Sequence, residues 1–250
     1  MSDRSRNLKF IIDYDGTDFF GWQSQPSKKT VQDRIQSAFL KILKEDVKII
    51  GAGRTDTGVH ARGQVANAKI FNDIPTKRLF KSLNAVLPGS IAIKEIKEID
   101  SEFHSRYDAT LRTYSYFIWN EKYEPPFYRR YSWWVKGQLD IGLMRQSAAN
   151  FVGKIDLAAF TPEKKKNTIR DFSHIRIEQP SGFSDKMIRI EMSANSFPFN
   201  FVRFLVGTLV DVGLGKVEAG AVKEILDSKE FQDDRKKAPA KGLVLERVDY

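Results

Sequence analysis

The sequence predicts an α+β fold of two halves, each with strands and helices in ferredoxin-like order and with a central cleft between them. Three observations predict it. Apolar residues alternate with a period of two in some stretches and follow helical spacing in others. In the first hundred residues these stretches run strand, helix, strand, strand, helix, strand, which is the ferredoxin-like pattern. The second half repeats that order loosely. The halves are taken as residues 1–105 and 106–250.

In the first half, Leu8, Phe10, Ile12 and Tyr14 alternate with Lys9, Ile11 and Asp13 as a strand, which ends in the turn Asp15-Gly16-Thr17. Asp13 and Asp15 are read as strand-end and turn caps rather than as metal ligands. Thr30, with Asp33 three residues later, starts a helix whose core stripe is Val31, Ile35, Ala38, Phe39, Ile42 and Leu43. The apolar run Val47 to Ile50 is a strand, and Gln64 to Phe71 follows as another. Pro75-Thr76 opens a helix with Leu79, Phe80, Leu83, Val86 and Leu87 on one face; Pro88-Gly89 stops it, and Ile91 to Ile99 is a strand.

In the second half, Leu111 to Trp119 is a strand with Arg112, Tyr114, Tyr116 and Ile118 on one face. Pro125-Pro126 marks a loop, and Tyr131 to Val135 continues as strand. Asp140 opens a helix bearing Ile141, Met144, Ala148, Phe151 and Val152. A basic loop containing Lys164 to Lys166 leads to strands around Ile169 to Ile177 and Met187 to Ala194. Helices at Asn200 to Val212 and near Ala219 to Leu226 precede a final strand, Gly242 to Val248.

Between the second and third predicted strands runs GAGRTDTGVHARGQV, Gly51 to Val65. Four glycines, Arg54, Thr55, Asp56, Thr57 and His60 crowd into this strand-to-turn passage. Glycine admits positive φ and close approach of a ligand to the backbone. A lone carboxylate on such a loop is a candidate site residue, although many loop aspartates only cap their own backbone.

Composition limits the class. Hydrophobic residues at 41% and charged residues at 29% fit a globular protein, and no apolar run approaches the roughly 18 residues that span a bilayer. There is no cysteine, so thiol catalysis, disulfides and cysteine zinc sites are excluded. These features and the lack of a signal-peptide core predict a cytoplasmic protein. The net charge of +9 suggests a polyanionic partner. Aromatics beside basic residues, as in Tyr128-Arg129-Arg130-Tyr131 and Trp133-Trp134-Val135-Lys136, favour unpaired nucleic acid, whose bases stack while phosphates meet Lys and Arg.

Arg203 stands among Phe201, Val202, Phe204, Leu205, Val206, Leu209 and Val210. An unpaired buried charge is costly, so Arg203 requires an acidic partner or anionic ligand, unless it snorkels to solvent. Pairing with a carboxylate would keep that carboxylate ionised, as a nucleophile requires.

These pieces resemble the TruA family of tRNA pseudouridine synthases. The resemblance covers nearly the whole chain: Tyr14-Asp15-Gly16-Thr17 with Phe20-Gly21-Trp22-Gln23, the GAGRTDTGVHARGQV loop, Phe103-His104-Ser105-Arg106, and Arg112-Thr113-Tyr114-Ser115-Tyr116. It continues through Thr168-Ile169-Arg170, Phe201-Val202-Arg203 with Gly207, and Ala238-Pro239-Ala240-Lys241-Gly242-Leu243. The chain departs from the family's usual pattern at Thr57, Ser105, Tyr107 and Ile155, none of them the aspartate, tyrosine or arginine.

The resemblance implies pseudouridine synthase-type halves joined in one mixed, mainly antiparallel sheet, and a homodimer. It implies a cofactor-free and metal-free isomerase that converts uridines 38 to 40 of the tRNA anticodon stem-loop. Asp56 would be the catalytic carboxylate, Tyr114 would stack on the uracil and Arg203 would pair with Asp56. Arg54 would help hold the extruded nucleotide, and Arg106 and Arg170 would meet the RNA backbone. A zinc base deaminase is the first rival, but it needs cysteine and histidine ligands, and here only His60, His104 and His174 are present. A noncatalytic tRNA-binding protein is the second, and the intact Asp56, Tyr114 and Arg203 argue against it.

Overall fold

The computed structural model describes residues 5–163, 167–180 and 186–250. These divide into two units: one runs to Thr110 and takes up Val244–Tyr250, and the other is Leu111–Leu243. The boundary therefore falls past residue 105. The last strand, expected in the second half, is counted with the first unit, because its Val244 and Leu245 pair in parallel with His60 and Ala61.

In the first unit, β1 (Arg6–Tyr14) lies antiparallel between β3 (His60–Ile70) and β4 (Ile91–Ile99). The outer edge of β3 is shared. The three-residue β2 (Ile49–Gly51) pairs antiparallel with Ala66 to Ala68, and the last strand, β10 (Leu243–Asp249), pairs at the other end. The alternation read from the sequence puts Leu8, Phe10, Ile12 and Tyr14 inside. Phe10 meets Phe39 of α1 (Val31–Leu43) edge-on at 5.6 Å, so the two periodicities bury one common core.

Helix α1 starts as the sequence predicts. The Thr30 hydroxyl oxygen accepts from Asp33 N–H at 3.2 Å, and the hydroxyl donates to the Asp33 carboxylate. Helix α2 (Thr76–Val86) has Pro75 at its N-cap and no side-chain cap. It buries Leu79 and Leu83, with Leu87 buried just beyond its end, whereas Phe80 and Val86 are only half-buried.

The second unit carries the antiparallel run β5 (Leu111–Asn120), β9 (Met187–Ala194), β8 (Ile169–Glu178) and β7 (Gly153–Asp156). The short β6 (Trp133–Val135) runs parallel to the end of β5. β6 begins two residues later than expected. Tyr131 N–H and the Ser132 hydroxyl both bond to Tyr128 O, and this turn occupies the residues before it.

Helix α3 (Ile141–Ala148) is shorter than expected. Ala149–Phe151 tightens into a 3-10 turn that buries Phe151 and leaves Val152 exposed, and Gly153 at φ +88° turns the chain into β7. Helices α4 (Phe201–Gly213) and α5 (Ala221–Ser228) complete the unit. The loop at Lys164 to Lys166 lies outside the described residues. Among those described, no helix is long and apolar enough to cross a membrane.

Candidate active site

The Asp56 loop joins β2 to β3 and is tied down at almost every residue that carries no candidate role. Ala52 N–H donates to Val65 O at 2.7 Å, Gln64 Nε2 to Gly53 O at 2.9 Å, and Trp22 N–H to Thr55 O at 3.1 Å. Gly58 N–H donates to Phe19 O, and Val59 N–H to Asp56 O. The Tyr14 and Thr55 hydroxyls hydrogen-bond at 2.8 Å in the buried interior. Side chains alternate about this frame. Thr55 is buried, Arg54 and Thr57 are exposed, and Asp56 is half-buried.

The glycines of the neighbouring motifs are there because backbone passes where a side chain would stand. At Gly16 a Cβ would stand 2.0 Å from Val59 O, and at Gly21, with φ +86°, 2.5 Å from Thr55 O. The segment Tyr14 to Gln23 is thus the bed on which the Asp56 loop rests. His60 fastens the far end: its Nδ1 accepts from Gly16 N–H at 3.0 Å and lies 3.1 Å from Asp15 Oδ1.

Asp13 and Asp15 do not form one cluster. Asp15 Oδ1 also accepts from the Thr17 N–H and hydroxyl, a turn cap of the kind expected from sequence. Asp13 faces Lys94 at 3.4 Å. Burial raises the Asp13 pKa, opposed in part by Lys94 and Arg62. Among the described residues no three of His, Cys, Asp and Glu are grouped to hold a metal ion.

In the second unit Arg203 sits in the first turn of α4, a helix buried along nearly its whole length. Its guanidinium is half-buried and held: Nε donates to Ala238 O at 2.8 Å, and Nη1 reaches Asn200 Oδ1 at 3.4 Å. Ala238 N–H returns a bond to Arg203 O, and a Cβ on Gly207 would stand 1.9 Å from Lys236 O. The string through Ala238 therefore runs as a strap along α4. The strap continues onto β5, where the Tyr116 hydroxyl donates to Pro239 O at 2.7 Å. Burial raises the Tyr116 phenol well above its usual range, against the opposing pull of Arg203.

Tyr114 lies on β5 opposite Met192, nearly buried, with its ring edge-on to Phe197 at 5.0 Å. Phe197 in turn packs on Phe172 and Phe201, so the Tyr114 ring belongs to an aromatic cluster. Arg170, on β8, folds its Nη1 back onto Ile169 O and Asn167 O. Arg106 is exposed on a turn after β4.

Sequence reasoning names these residues but not the Tyr14–Thr55 bond, Phe197, or the main-chain carbonyl of Ala238. The Tyr14 and Thr55 partners are 41 positions apart, and no local period reports such a pair. The only sequence signal for Tyr14, Thr55 and Ala238 is membership of the quoted motifs, and Phe197 lies outside them.

A family model described as "tRNA pseudouridine synthase" matches residues 10–108 and 147–250. "tRNA pseudouridine synthase A" of Acetivibrio thermocellus is 40% identical over 247 residues, covering 98% of this chain and 100% of that protein. "tRNA pseudouridine synthase A 2" of Clostridium perfringens is 42% identical over 251 residues, with the same shares covered. Among solved structures, the "Crystal Structure of a Cbf5-Nop10-Gar1 Complex" aligns with TM-score 0.34 and 13% identity over 82% of this chain and 45% of that one. On the family match and the near-full-length relatives, the chain belongs to the tRNA pseudouridine synthase family.

Proposed function

We infer that the protein is an isomerase that converts uridine to pseudouridine in the anticodon stem-loop of tRNA, at positions 38 to 40. The observation that carries this reading is the GRTD loop. It stands in a chain that matches the family over residues 10–108 and 147–250, and its backbone is fastened on both sides of a half-buried Asp56. A rigid loop holds a carboxylate in place before substrate arrives, which is what positional catalysis requires.

The reaction breaks the N-glycosidic bond, turns the uracil and forms a C–C bond. No group is donated and no net redox change occurs, so the reading requires no cofactor. Asp56 is the catalytic carboxylate, by attack on sugar or base or by removal of a sugar proton. Arg203 is its counter-ion and Tyr114 the stacking partner of the uracil. Arg54 supports the extruded nucleotide, and Arg106 and Arg170 meet phosphates. A cytoplasmic homodimer is part of the same proposal, drawn from the family resemblance and from the location of the tRNA pool.

The deciding experiment incubates the protein with an unmodified tRNA transcript and maps pseudouridine. The expected result is modification confined to positions 38 to 40. Asp56→Asn should make none while binding tRNA within a few-fold of wild type, because the amide keeps the shape and removes the nucleophile. Tight tRNA binding with no pseudouridine from the wild-type protein would turn the reading to a noncatalytic binder. Sedimentation at micromolar concentration checks the dimer.

A further inference from the structure

We propose that Ser105 and Tyr250 are positioning residues that fix the Phe103–Arg106 segment so that Arg106 meets the phosphate backbone of the RNA. The proposal rests on the reading above that the substrate is tRNA.

Ser105 is fully buried, and each of its polar groups is engaged with a different element. Its hydroxyl donates to Ile50 O of β2 at 2.6 Å, and its N–H donates to Asn67 Oδ1 of β3 at 3.0 Å. Its carbonyl accepts from the Tyr250 hydroxyl at 2.7 Å. Ile50 and Asn67 are register partners in the β2–β3 ladder, so two of the bonds grip a single rung. That rung stands at the root of the loop carrying Asp56. Asn67 Nδ2 further donates to Asn7 Oδ1, and Asn7 Nδ2 to Phe103 O, which extends the grip to β1.

Tyr250 closes the arrangement from the other side. Its ring meets Phe103 at 4.9 Å, and Lys9 Nζ stands 4.2 Å from the ring centroid. The turn after Ser105 is closed as well. His104 N–H donates to Asp108 Oδ2 at 2.9 Å, and His104 Nδ1 accepts from Arg106 N–H at 3.2 Å. The His104 ring stacks on Tyr107 at 4.2 Å. An exposed arginine is thus carried on a short turn whose preceding residue is bolted to the sheet. Such fixing lowers the entropy lost when the guanidinium meets a phosphate.

The test uses the full chain and an unmodified tRNA transcript. It measures dissociation constants and single-turnover rates at saturating RNA for wild type, Ser105→Ala, Tyr250→Phe, Arg106→Ala and the two doubles with Arg106→Ala. Ser105→Ala and Tyr250→Phe should each weaken tRNA binding by up to about tenfold, the scale of one hydrogen bond. The saturated rate should change less than the affinity. In the Arg106→Ala background neither should add a further loss, the coupling expected when one residue acts through another. Tyr250→Phe keeps the ring and removes only the bond to Ser105, so the proposal stays testable if Ser105→Ala folds poorly. Unchanged affinity in both single variants, or losses that multiply fully with that of Arg106→Ala, would overturn it. A wild-type protein that forms no pseudouridine would defeat the underlying reading instead.

Discussion

At Gly21 the backbone turns to φ +86° with Thr55 O where a Cβ would be, next to the residue proposed to do the chemistry. Left-handed backbone costs a residue with a side chain about 1–2 kcal/mol, and here a backbone clash adds to it. Gly21→Ala should therefore destabilise the protein by about 2 kcal/mol or more. It should also slow isomerisation beyond what the unfolded fraction explains, because the clash falls on the Asp56 loop. Gly89 is the control: a Cβ there meets nothing within 4 Å, so Gly89→Ala should stay within about 0.5 kcal/mol. Urea unfolding of both variants, with initial rates at saturating tRNA, checks the pair. The site is legible at this scale as residue types in one short string. Which atoms hold that string is not, because Thr55 answers to Tyr14, Gly16 to Val59 and Ser105 to Ile50 only after the chain has folded.

At the scale of elements, α1 is legible because its start is local. Thr30 and Asp33 lie one turn apart, and the cap needs nothing else. Spacing alone over-extends α3, because Phe151 and Val152 continue its period while the backbone has already tightened into a 3-10 turn. The α1 cap also predicts a pH effect. Burial raises the Asp33 pKa, but hydrogen bonds from Ser24 and Thr30, with Lys28 nearby, outweigh it and hold the carboxyl below its ordinary value. A depressed folded pKa contributes stability above the unfolded value, lost as pH falls through the folded one. Asp156, lowered chiefly by its bond from Thr168, has the same sign. Asp13, raised by burial, has the opposite sign and is relieved on acidification. Denaturant titrations from about pH 6 to about pH 3 should thus show wild-type stability falling below about pH 4. Asp33→Asn should start less stable and show a shallower fall, and Asp13→Asn should gain stability at neutral pH. An Asp33→Asn profile parallel to wild type would mean that the cap carboxylate does not carry the acid sensitivity.

At the scale of the whole molecule, the first unit is not a continuous stretch of chain, since it is completed by Val244–Tyr250. Periodicity marks a final strand but not its partner, since an apolar run is silent about which edge it will join. The parallel pairing with β3 has a physical reason in Gly63, where a Cβ would stand 2.2 Å from Glu246 O. Val244, Leu245 and Val248 are almost wholly buried, and Thr110 N–H donates to Asp249 O. Each buried Val or Leu contributes about 1.5–3 kcal/mol, so the three together approach the roughly 5–15 kcal/mol that holds a domain folded. Deleting Val244–Tyr250 should therefore unfold the first unit although the chain up to Thr110 is intact. Hydrogen exchange is the decisive measurement, because it follows each unit separately. Amides of β1 and β3 should lose protection in the truncated chain, whereas those of β8 and β9, which pair within the second unit, should retain it. Equal protection of β3 with and without Val244–Tyr250 would show that the first unit closes without that strand, and neither β10 nor Tyr250 could then be what holds it shut.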